Sequence, residues 1–157
     1  MLTLHWKQRS KKLDIWHADK ERSIDCSCLV RNEVNGWRKD HQIVNTIPDG
    51  KPYQPRIFPV GKWVIGKPLE RRSEHTAPYF IPTDAHQLVW VWEIKNGKYT
   101  CKTKELVEDE AYGLHFSSSN TTLGCIKIIN LDDLNELVDD INYMLYNNVS
   151  PVFIVEE

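Results

Sequence analysis

The sequence carries almost no excess charge: 22 acidic against 20 basic residues leave a net of -2 in 157 residues. That balance removes the electrostatic argument for nucleic acid or an anionic membrane surface, because both need a basic face. The basic pairs Lys11-Lys12 and Arg71-Arg72 are too short to be more than solvated surface. Long apolar runs are also missing. No stretch approaches the ~18 residues that cross a bilayer, so no membrane span is expected. Residues 1–7 read as a strand, not a secretory leader. The chain has no internal repeat, no low-complexity tract and no glycine-rich phosphate loop. Cysteines are few, four in all. Cys26 and Cys28 lie two apart in an extended run, share a face and cannot easily bridge each other. No second cysteine pair gives zinc-finger spacing. Cys26, Cys28 and Cys101 therefore read as reduced packing residues. No two of the six histidines sit at ligand-like spacing beside an acid, so neither a metal nor a cofactor is expected.

What is present is alternation. Leu2, Leu4 and Trp6 share one face of a first strand, and Leu13, Ile15 and His17 share one face of a second. A charged break from Asp19 to Arg22 precedes a third strand, residues 24–30. From residue 31 to 59 the composition shifts. Asn35-Gly36 and Asp49-Gly50 signal turns, and Pro48, Pro52, Pro55 and Pro59 forbid a central strand or helix. This segment is expected as a long loop over a sheet edge, either a wall or lid of a groove or a packed surface connection. Residues 61–66 form a short strand, and residues 67–82 read as another broken segment whose His75 is expected in an exposed loop. Residues 87–94 alternate strongly and turn at Asn96-Gly97 into residues 98–101, the clearest hairpin of the chain. Trp90 and Trp92 fall on one face of it, as sheet core or as a platform for a sugar. Residues 106–110 read as a solvated acidic run. Near the C-terminus, apolar residues from Leu131 to Leu145 recur at three and four, with Asn130 as N-cap. Asp132 and Asp133 complement the helix dipole, and Asn147-Asn148 ends the helix. These features predict a single, mainly β domain over residues 1–157, with curved mixed sheets or a β-sandwich and one amphipathic helix.

The chemistry concentrates between Tyr112 and Ile128. A short strand carries His115, a hydroxyl-rich loop follows, and Gly124-Cys125 opens a second β run at Ile126. A thiol needs a base or a lowered pKa to become a nucleophile near neutrality. Histidine is the usual base because its own pKa lies close to working pH. Gly124 permits close backbone approach to a substrate carbonyl, and N–H groups around Cys125 can hold an oxyanion. The plainer alternative treats Cys125 as a small core hydrophobe and His115 as a hydrogen-bonded core residue.

The block formed by His115, Thr121-Thr122, Gly124-Cys125-Ile126-Lys127, the helix after Asn130 and Pro151-Val152-Phe153-Ile154-Val155 resembles the end of an L,D-transpeptidase (YkuD-type) catalytic domain. Pro59-Val60-Gly61-Lys62-Trp63-Val64-Ile65 is a looser echo of an upstream element of that family. The resemblance covers the C-terminal third and reaches the rest only as pattern. It departs from the family at Leu123, where a histidine is common, and at Lys127, where an arginine is usual. The loop between His115 and Cys125 is short, as in divergent branches that include peptidoglycan-targeting toxins.

The resemblance implies an L,D-transpeptidase-like fold and a cysteine acyltransferase or peptidase acting on peptidoglycan stem peptides. Cys125 would be the nucleophile, His115 its base, and Gly124 part of the oxyanion site. Tyr112, Ser117, Ser118, Thr121, Thr122 and Leu123 are implied substrate contacts, with Lys127 pairing a carboxylate or holding structure. Action on the cell wall would then require export or delivery machinery. The alternatives are a non-catalytic cell-wall-binding module of the same fold and, more remotely, a cysteine protease of another fold, which lacks its helix-borne cysteine here.

Overall fold

A computed structural model describes residues 1–7, 10–27, 41–45, 58–73, 76–95, 98–110, 112–116 and 125–156; at Ser27, 41–45, 88–95 and 98–109 the description is of the backbone. The protein is mainly β, with one curled mixed sheet and a C-terminal helix. The strands in chain order are β1 (Leu2–Lys7), β2 (Lys12–His17), β3 (Lys20–Ser27), β4 (His41–Asn45), β5 (Gly61–Val64), β6 (Leu69–Glu70) and β7 (Tyr79–Pro82). There follow β8 (Gln87–Lys95), β9 (Lys98–Asp109), β10 (Gly113–Phe116), β11 (Ile126–Ile128), the helix α1 (Leu131–Tyr146) and β12 (Val152–Glu156).

Nine strands join in the order β5-β12-β1-β2-β3-β11-β10-β7-β6, and β4-β8-β9 form a separate three-stranded sheet. The large sheet is mixed: β1 runs parallel to β12 and β10 parallel to β11, while its other pairs are antiparallel. Its edge strands β5 and β6 have four and two residues, which limits the unpaired backbone exposed at each edge.

Alternation decides which face is core. Leu2, Leu4 and Trp6 are buried on β1, with Leu13 and Ile15 opposite Trp6 and Leu4 on β2. Phe153 and Val155 lie level with Leu4 and Trp6 on the other side. The same face continues through Ile24, Cys26, Ile126, Ile128, Leu114 and Ile81. Onto it α1 lays the stripe Leu134, Leu137, Val138, Ile141 and Met144, contacting β1, β7, β10 and β11. Arg22 ties the helix to β3 through Glu136 at 2.6 Å and Asp140 at 3.0 Å, and His17 stands 3.5 Å from Asp140.

The helix matches its sequence expectation at both ends. Asn130 Oδ1 accepts from the backbone N–H of Asp132 at 2.8 Å and of Asp133 at 3.2 Å, so two N–H groups without intrahelical partners are satisfied. Asn147 caps the last turn, and Asn148 takes a positive φ of 58° that ends it. Asn130→Ala is expected to lower unfolding free energy by about 1 kcal/mol, read as a shifted urea midpoint with an unchanged slope.

Three expectations need correction. The break after β2 is a two-residue turn at Ala18-Asp19, and the third strand already begins at Lys20. The region read as one loop over residues 31–59 contains β4, an edge strand on β8; its prolines lie after the strand and leave its ladder intact. Residues 67–82 supply β6 and β7. The acidic run from Leu106 lies on β9, which pairs with β8 as far as Asp109. Strands β8 and β9 pair antiparallel with Lys95 opposite Lys98, as the hairpin reading requires; Asn96-Gly97 themselves lie outside the described residues.

Candidate active site

Strands β10 and β11 frame the candidate residues: His115 lies on β10, and Cys125 immediately precedes β11. They are adjacent and parallel, with Leu114 level with Ile126, His115 with Lys127 and Phe116 with Ile128. Leu114, Ile126 and Ile128 are fully buried against the helix side. Successive residues of a strand alternate between faces, so His115 and Lys127 occupy the face turned away from α1. Cys125 immediately precedes Ile126, at the entry to β11 and outside the paired register. Continued back one residue, that register would set Cys125 level with Gly113 on the face of His115, with the two Cα atoms about 8 Å apart by strand rise and spacing.

One cross-strand row runs through the site. On one side of His115 stands Lys127, itself level with Ser27 of β3; on the other stands Phe80 of β7, level with Leu69 of β6. His115 and Lys127 are buried, at 7% and 9% exposure, although the helix covers the opposite face. The imidazole Nδ1 lies 3.1 Å from the Phe116 carbonyl oxygen. A carbonyl only accepts, so Nδ1 donates and the lone pair of the neutral ring sits on Nε2. The Phe80 ring is 6.1 Å from the imidazole, centroid to centroid, and tilted 33° to it. Cys125 is half-buried.

The same outward face continues across β3, β2, β1 and β12, where polar residues alternate with Trp16, Val152 and Ile154. There Lys12 pairs with Asp25, and that hydrogen bond and charge hold the ammonium above its usual range. His5 Nε2 stands 3.1 Å from Glu156 Oε2.

His115 and Lys127 are therefore brought to one face, with Cys125 one residue before β11. Tyr112 is not. It falls on the core face with Leu114, is fully buried, and meets Phe58 edge-on at 5.5 Å. Its hydroxyl accepts from Gln87 Nε2 at 2.7 Å, and its carbonyl accepts from Thr83 Oγ1 at 2.6 Å. The substrate contact expected of Tyr112 is replaced by a structural role, because strand alternation turns it away from His115. Tyr112→Phe is expected to cost about 1 kcal/mol of stability and to leave Cys125 reactivity unchanged, as thermal melts and thiol-alkylation rates would report. Ser117, Ser118, Thr121, Thr122, Leu123 and Gly124 lie outside the described residues, as does His75. Among the described residues no group of three or more His, Cys, Asp or Glu is arranged to hold a metal ion, and no helix is long and apolar enough to cross a membrane.

Phe80 and the burial of Lys127 escape sequence reading. The available signal for Phe80 was the apolar run Tyr79-Phe80-Ile81 bracketed by Pro78 and Pro82. Bracketing prolines mark strand ends as readily as loops.

No protein-family model, curated protein or solved structure gives a significant match to the chain.

Proposed function

We propose that the protein is a cysteine-dependent acyl-transfer enzyme acting on peptidoglycan stem peptides, with an L,D-transpeptidase-like fold. The observation that carries the chemistry is the parallel pairing of β10, which bears His115, with β11, which Cys125 immediately precedes. The substrate class rests on the sequence resemblance of residues 112–155 to that family.

In this reading His115 Nε2 takes the proton from Cys125 Sγ. The thiolate attacks the carbonyl of an L-configured residue that is followed by a D-residue. A tetrahedral oxyanion forms, stabilised by backbone N–H groups that include that of Cys125. Its collapse breaks the C–N bond, the imidazolium returns the proton to the leaving amine, and a thioester remains on Cys125. An acceptor amine resolves the thioester into a crosslink or exchanged residue; water resolves it into a shortened stem, as a carboxypeptidase or endopeptidase does. Lys127, on the same face, stabilises the thiolate or pairs a substrate carboxylate.

The test is incubation with defined muropeptides followed by mass analysis of the products. A new crosslink, an exchanged terminal residue or a shortened stem supports the proposal. Muropeptides recovered unchanged, but retained by the protein in a pull-down, would show a wall-binding module instead.

A further inference from the structure

The face that holds the reactive pair also holds a device for orienting its base, and Gly113 reveals it. Phe80 and His115 are directly opposed on the antiparallel strands β7 and β10. Gly113 lies two residues before His115 and shares its face. A Cβ at position 113 would stand 2.8 Å from Phe80 Cε2, and closer still to Phe80 Cζ and to the Ile81 carbonyl oxygen. The phenyl ring therefore occupies space that any side chain at 113 would fill. Lying there, it packs beside the imidazole at 6.1 Å. The second restraint on the imidazole is the Nδ1 hydrogen bond to the Phe116 carbonyl oxygen. Ring contact limits rotation at χ1, and the hydrogen bond selects one of the two ring flips and one tautomer. A third neighbour, Lys127, flanks the imidazole from β11.

The geometry points to Phe80 as the positioning residue for His115, seated by the missing side chain of Gly113 and holding the imidazole with Nε2 as its basic atom. This inference rests on the reading of His115 and Cys125 as a reactive pair. Phe80 touches no reacting atom and acts only through the orientation of His115. The charged neighbour of the imidazole in this row is Lys127; Phe80 and Leu69 on the β7–β6 side carry no charge.

The experiment is the rate of Cys125 alkylation by iodoacetamide from pH 5 to 10, followed on the Cys125 peptide by mass spectrometry. Wild type, His115→Ala, Phe80→Leu and Phe80→Tyr are compared. His115→Ala and Phe80→Leu should each react about tenfold slower at pH 7, as for one unit of apparent thiol pKa, and converge on the wild-type rate at high pH. Phe80→Tyr keeps the ring and should stay within about twofold of wild type. If His115→Ala is slow while Phe80→Leu follows the wild-type profile, the positioning role is overturned and the reactive pair stands. If His115→Ala itself follows the wild-type profile, the pair fails, and the positioning role with it. A Phe80→Leu variant too unstable to assay leaves a direct measurement on the unaltered protein by NMR. The His115 ring protons should show contacts to the Phe80 ring, with the proton on Nδ1; absence of those contacts, or a proton on Nε2 alone, overturns the proposal.

Discussion

If the protein acts as the proposed acyl-transfer enzyme, Cys125→Ala is expected to lower turnover of muropeptides by about 10⁴-fold or more, because loss of the nucleophile leaves only binding and oxyanion contacts to act. The substitution sits at the entry to β11, whose hold on the sheet comes from Ile126 and Ile128, both fully buried, and from the ladders to β10 and β3. A half-buried thiol contributes little to that packing, so the melting temperature should move by only a few degrees. Product formation by chromatography and the thermal melt are measured on the same preparation. Turnover retained at a tenth of wild type, with an unchanged melt, would remove Cys125 from the chemistry.

Trp6→Ala is expected to lower unfolding free energy by about 3–5 kcal/mol. The indole is 1% exposed on a central strand, opposite Leu13 on one side and Val155 on the other. Domains are stable by about 5–15 kcal/mol, so this single change removes a large part of the margin. Trp16 supplies the contrast. It lies opposite Thr3, on the outward face, and is 45% exposed, so Trp16→Ala should stay within about 0.5 kcal/mol of wild type. Urea midpoints for the two variants check the facing of the whole β1–β2 pair. Equal losses would mean that the alternation has been assigned to the wrong face.

The helix and the first two strands were legible because their periodicity is local. In α1 the apolar recurrence, the Asn130 cap and the Asn148 stop all lie within the element itself. Leu2, Leu4 and Trp6 declare a face without any knowledge of their partners. What stayed hidden was set by partners distant in sequence. The parallel pairing of β10 with β11 has no local signature, yet it sets the strand of His115 beside the strand that Cys125 precedes. Tyr112 was misassigned for a related reason. Its burial is created by Phe58, which joins it from fifty-four positions upstream and itself meets Phe153 at 5.2 Å. Phe80 was missed because its segment looks broken by prolines, although Pro82 closes the strand opposite Gly113. Prolines next to β4 masked that strand in the same way. His115 and Cys125 were named from residue type and order, and Lys127 from the family resemblance; the common face of His115 and Lys127 came only with the sheet.

If Cys125 is acylated by a stem peptide with His115 as its base, acid quenching during incubation with a defined stem tetrapeptide should trap the acyl-enzyme, seen by weighing the intact chain and its Cys125 peptide. A mass increase equal to the acyl fragment is expected, confined to the peptide containing Cys125 and absent from Cys125→Ala. The adduct should appear more slowly in His115→Ala, by about a hundredfold for loss of a general base. Product formed with no adduct at any quench time, or an adduct that persists in Cys125→Ala, would contradict this account.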